Sequence, residues 1–136
     1  ILWQQGAADH LAAVDYARLR PSEFTRSSEN DRIKPYTMRE DAYTEHFRSI
    51  VAHLRELGLQ APVFVSVSTV CGDDGSGPVA DAQAALPTVI AGVRAGPDIN
   101  AFSISDYHQD HCHLSDQGVV RAGKAWTAVL ALAAGR

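Results

Sequence analysis

Pro62-Val63-Phe64-Val65-Ser66-Val67-Ser68 is a short, nearly unbroken apolar run rich in β-branched residues, the composition of a central strand. Upstream of it, Tyr43, Phe47, Ile50, Val51, Leu54 and Leu57 recur at helical spacing and form one apolar stripe. Thr37 and Glu40 have the spacing of a capping box for that helix, and Gly58 is placed to end it. Downstream, Cys71 to Gly77 reads as a turn region, and Pro78 suits the first turn of a helix running to about Leu86. Pro87 is expected to stop or kink that helix. Helix, strand, helix in this order is the pattern of an α/β domain with a parallel sheet.

The flanks extend the alternation. Ile1–Trp3 reads as a strand stub followed by the turn Gln4-Gln5-Gly6, and a short helix is expected from about His10 to Arg20. Residues 21–36 are polar, without period of either kind, and read as an insertion. Residues 88–95 fit either a helical stretch or irregular chain. Asn100–Ser105 is expected to be the last strand. Ser115 with Asp116 opens a final helix whose buried face is expected to carry Val119, Val120, Trp126, Val129 and Leu130. No repeat and no internal boundary divides residues 1–136, so one domain is expected.

The 136 residues are 46% hydrophobic, enough for one substantial core, and carry a net charge of -4. The acidic balance argues against a nucleic-acid partner, which asks for a basic face. No apolar run is long enough to span a bilayer, and the start has no signal-peptide pattern. Ile1-Leu2-Trp3 resembles the middle of a buried strand, so an upstream segment, or a second chain, is expected to complete the sheet.

The densest chemistry is Asp106-Tyr107-His108-Gln109-Asp110-His111-Cys112-His113, directly after the last expected strand. Open parallel sheets bind ligands beyond the carboxyl ends of their strands. Asp110 and His113 fit the acid–histidine pair of a Ser-His-Asp arrangement. A solvated loop that happens to be rich in histidine fits the composition equally well. His108, His111 and His113 with a carboxylate are a weaker fit to a zinc site, because His-x-x-His-x-His is no strong ligand spacing.

Trp3-Gln4-Gln5-Gly6-Ala7-Ala8-Asp9 resembles the Trp-x-Gln-Gly-Glu-Ser-Asp/Asn block of the SGNH (GDSL-like) hydrolases, in their sialate O-acetylesterase-like carbohydrate esterase branch. Asp110-His111-Cys112-His113 is similar to that family's Asp-x-x-His block, and Leu114-Ser115-Asp116-Gln117-Gly118 to its continuation. Ala82-Gln83 resembles an Ala-Gln of the intervening helix, and Asp106 falls where the family often carries an aspartate. The resemblance implies a flavodoxin-like three-layer α/β/α sandwich with a parallel sheet, incomplete at its N-terminal side. It implies a metal-free, cofactor-free serine esterase removing acetyl groups from a carbohydrate or similar ester. Asp110 and His113 would be catalytic, and Gln5 and Gly6 would serve the oxyanion; without the resemblance these last two read as an exposed polar residue and a turn glycine. The family's nucleophile block is not in this sequence. Ser76, in Asp74-Gly75-Ser76-Gly77, sits on the wrong strand and lacks the Gly-x-Ser-x-Gly spacing, and Ala7 replaces the family's usual Glu.

Cys71 and Cys112 both follow expected strands on one edge of the sheet, so a disulfide between them is an expectation, with two free thiols as the alternative. A bridge would favour a secreted or periplasmic setting. The Arg-rich stretch from Arg18 to Arg39 reads as a solvated insertion before it reads as a lid for an anionic sugar, and Phe47 and Trp126 read as core. The rivals to an ester hydrolase are a non-catalytic carbohydrate-binding or degenerate esterase domain, a sugar O-acetyltransferase using the same residues, and a metal site on the histidines.

Overall fold

A computed structural model describes residues 1–10, 39–72 and 75–135 of the chain. The expected helix over 10–20, the insertion 21–36 and Thr37 therefore lie wholly or mostly outside the described residues. The described chain is mixed α/β. Strands β1 (Leu2–Trp3), β2 (Val63–Val67) and β3 (Val93–Asp98) form a parallel sheet in the order β1-β2-β3. Helices α1 (Glu40–Glu56), α2 (Pro78–Val89) and α3 (Asp116–Ala133) accompany it. Among the described residues, no helix is long and apolar enough to cross a membrane.

β2 is central, as its composition requires. It pairs Phe64 with Leu2 on one side and Val63 with Val93 on the other. Val63, Phe64, Val65 and Ser66 are all buried, so both faces of the strand are covered. Val63 and Val65 enter a core with Tyr43, Phe47 and Val51 of α1, Val79, Ala82 and Leu86 of α2, and Val93 of β3. The Val, Leu and Phe side chains among them, fully buried, contribute roughly 1.5–3 kcal/mol each.

The α1 stripe is narrower than its periodicity suggests. Tyr43, Phe47 and Val51 are buried, whereas Ile50 and Leu57 face solvent. Arg39 is the N-cap and makes no side-chain cap, and acidic Glu40 and Asp41 in the first turn suit the helix dipole. The C-terminal stop is as expected. Gly58 takes φ +81°, and the Gly58 and Leu59 N–H groups return to Arg55 O and Leu54 O, the paired bonds of a Schellman motif.

Three expectations around α2 and β3 are corrected. Pro87 does not end α2, because it lies in the last turn and the Ile90 N–H closes on Leu86 O beyond it. The last strand is Val93–Asp98, where a helical or irregular stretch was expected. Its Arg, Gly, Pro and Asp are poor strand formers, but pairing along β2 supplies the partner for its backbone, and Pro97 is tolerated on a strand paired, among the described residues, on one side. Asn100–Ser105 is accordingly no strand. It leads into a 3₁₀ turn, Ile104–Asp106, in which Asp106 Oδ2 accepts from the Ser103 N–H at 3.0 Å.

α3 starts where expected, with Ser115 Oγ accepting from the Gly118 N–H at 3.2 Å. Its buried seam is different. Gly118 and Ala122 are buried, while Val119 and Val120 are 57% and 58% exposed and Leu130 also faces solvent. The helix passes so close to the Asp106 carbonyl that a Cβ at Gly118 would overlap it, so small residues make the contact. Trp126 is half-buried, and its Nε1–H reaches Gln4 Oε1 at 2.8 Å.

Candidate active site

All three strands run parallel, so the segments that leave their carboxyl ends gather on one edge of the sheet. Gln5 and Gly6 follow β1, residues 68–72 follow β2, and the segment 99–115 follows β3.

Within that last segment, residues 107–114 form a small hairpin. Tyr107 and Leu114 pair as an antiparallel bridge, the His108 N–H donates to His113 O at 2.8 Å, and the His111 N–H closes a turn on His108 O at 2.9 Å. His111 adopts φ +53°, a left-handed conformation rare outside glycine. Such a residue persists when its surroundings hold it, and two ties do so here. The Gly72 N–H donates to His111 O at 3.0 Å, and the sulfurs of Cys71 and Cys112 are at disulfide distance with their Cα atoms 3.9 Å apart. The hairpin is thereby fastened to the end of β2.

The turn brings Asp110 and His113 side by side. Asp110 Oδ2 lies 2.7 Å from His113 Nδ1, while Asp110 Oδ1 accepts the Cys112 and His113 N–H groups at 2.9 and 3.0 Å. The bond from the imidazole, then the two backbone donors, hold the Asp110 carboxyl well below its ordinary range. With Nδ1–H donated to a carboxylate, the neutral ring presents Nε2 as an acceptor, and the His113 side chain is 79% exposed. A ring so held can accept a proton at Nε2 from a neighbouring donor. A depressed carboxyl pKa means that the stabilisation of the hairpin by ionised Asp110 is present above the unfolded carboxylate range, about pH 4, and is lost only as pH falls through the lowered folded value. The Asp110 carboxyl carbon resonance should therefore show no protonation midpoint near about pH 4; a midpoint there would contradict the pairing.

Gln5 and Gly6 are held differently. The Gln5 carbonyl accepts from Gln83 Nε2 at 2.7 Å and from the Tyr43 hydroxyl at 3.3 Å. The Gln5 side-chain amide donates to Asp9 Oδ2 at 2.8 Å, so it is committed within its own turn rather than to the Asp110–His113 pair. Gly6 is buried, and a Cβ there would run into Gln83 Nε2 and come within 2.9 Å of Ser68 O. No other residue type fits this approach.

Two residues that sequence reasoning gave no physical role organise the loops. Gln83, 1% exposed, bonds to three separate elements. Asn100 Oδ1 accepts the Thr69 N–H at 2.8 Å and the Val70 N–H at 3.2 Å, securing the chain just before Cys71. Asp106 is fully buried, and its Oδ2 pairs with Arg121 at 2.5 Å; it fastens α3 to the 3₁₀ turn. Burial pushes the Tyr43 phenol up, which keeps it a neutral hydrogen-bonding group. Among the described residues, no three His, Cys, Asp or Glu side chains converge to hold a metal ion, so His108, His111 and His113 do not form a ligand set.

Comparison with protein-family models, curated proteins and solved structures finds no match to this chain.

Proposed function

We propose that this chain carries the acid–histidine half of a serine-type ester hydrolase of the SGNH kind, acting on an acetylated carbohydrate or similar ester. The observation that carries the reading is the 2.7 Å Asp110–His113 bond at the carboxyl edge of a parallel sheet, with His113 exposed. In this reading His113 Nε2 removes the proton from a serine hydroxyl as the oxygen attacks the ester carbonyl. It then returns the proton to the leaving alcohol, and water repeats the cycle on the acyl-enzyme. Asp110 orients the ring and stabilises the imidazolium. The Gly6 N–H, and the Gln5 amide once released from Asp9, donate to the oxyanion.

The serine lies outside these 136 residues. β1 is paired only with β2 among the described residues, and its other edge is where a serine-bearing strand would add, completing a three-layer α/β/α sandwich. The Cys71–Cys112 pair fits an oxidising compartment, secreted or periplasmic.

The test is to label the complete protein with a fluorophosphonate serine probe and map the modified peptide. The expected adduct is on a serine outside residues 1–136. Absence of any adduct, with the protein folded, would remove the esterase reading and leave a carbohydrate-binding or degenerate domain.

A further inference from the structure

We infer that Gln83 is a positioning residue that aims the Gly6 N–H at the reacting oxygen, an inference that rests on the esterase reading and adds to it. The Gln5 carbonyl and the Gly6 N–H belong to one peptide group. That group is planar and trans, so its C=O and N–H point in opposite directions. A partner that fixes the carbonyl therefore fixes where the N–H points. Gln83 is the closer of its two partners, at 2.7 Å, with the Tyr43 hydroxyl at 3.3 Å.

Its amide is fully committed. Oε1 accepts the Ser68 N–H at 2.9 Å, and Nε2 donates to Gln5 O and to the Tyr43 hydroxyl, the latter at 3.0 Å. These partners lie 15, 78 and 40 residues away in sequence, on the loop after β2, the turn after β1, and α1. The orientation of the amide follows from them, because Ser68 N–H needs an acceptor and Gln5 O needs a donor. A glutamine is the side chain that meets all three demands, with one acceptor and two donors on a planar group. A carboxylate keeps the bond to Ser68 and loses both donors. Burial at 1% exposure means that no water replaces them at low cost. The same Nε2 occupies the space a Cβ at position 6 would need, so the amide is packed against Gly6 as well as bonded to the Gln5 oxygen.

The experiment compares Gln83→Glu and Gln83→Leu with wild type in the complete protein, using 4-nitrophenyl acetate. Loss of aim should lower kcat about 10²-fold in both at pH 8, with KM within about threefold. In Gln83→Glu the ratio of variant to wild-type kcat should rise as pH falls, because the protonated acid regains a donor for Gln5 O; in Gln83→Leu the ratio should stay flat. A merely structural role would not yield that split. Hydrogen–deuterium exchange over residues 4–8 gives a second readout independent of catalysis: exchange should quicken at least tenfold in Gln83→Leu, while residues 47–54 of α1 remain as in wild type. If wild type does not hydrolyse the ester, the esterase reading fails, and the exchange result alone decides whether Gln83 holds the turn. Unchanged exchange over residues 4–8, or kcat within threefold of wild type at every pH, would overturn the inference.

Discussion

His113→Ala in the complete protein is expected to lower kcat/KM for an acetyl ester by about 10³-fold or more, within the range that a positioned general base contributes. The melting temperature should scarcely move. The His113 side chain is 79% exposed, and such surface truncations usually stay within about 0.5 kcal/mol. The separation of these effects is what makes the variant informative, because a structural histidine would show the opposite balance. Asp110 is less clean to remove. Its Oδ1 also caps the Cys112 and His113 N–H groups, so truncation would loosen the turn as well as free the imidazole. Asp110→Asn keeps an acceptor for those amides while removing the negative charge beside Nδ1. It should retain the hairpin and still lose most of the rate. Steady-state kinetics with parallel thermal melts check both variants, and a loss under tenfold for His113→Ala would sink the acid–base assignment.

Removing the tie between Cys71 and Cys112 should have the largest effect on stability. The two cysteines are 41 positions apart, and chain entropy alone assigns a crosslink over a loop of that size roughly 4 kcal/mol. For a domain of this size a loss of that order lowers the melting temperature by on the order of 10 °C. Chemical denaturation of Cys71→Ser/Cys112→Ser beside the oxidised protein measures it. The consequence for the site is local. Cys112 sits between Asp110 and His113, and the crosslink, with the Gly72–His111 bond, holds the hairpin whose His111 is in the left-handed region. Without the crosslink the Asp110–His113 geometry should be populated only part of the time, so activity should fall in the double variant even where it remains folded. Equal midpoints for the two proteins would show that the sulfurs are not bonded in solution.

The residues alone determined the features that depend on short sequence separations. Asp110 and His113 are three positions apart in a turn, so their meeting is a local event that no distant contact needs to arrange. The Tyr43, Phe47, Val51 stripe, the Gly58 stop and the Ser115 cap follow from helix geometry in the same way. The β2 run was legible because a strand buried on both faces must be apolar throughout. The tertiary structure decided the rest. Val93–Asp98 becomes a strand because β2 offers its backbone a partner, against the preferences of its own Arg, Gly, Pro and Asp. Asn100–Ser105, with better strand composition, has no such partner among the described residues and turns instead. The buried seam of α3 is Gly118 and Ala122 because the Asp106 carbonyl lies against it, which no periodicity in Val119, Val120 and Leu130 could reveal. Gln83 and Asn100 carry the same lesson for the site: their partners are 15 to 78 residues away, and a polar side chain acquires its donors and acceptors only when the chain topology delivers them.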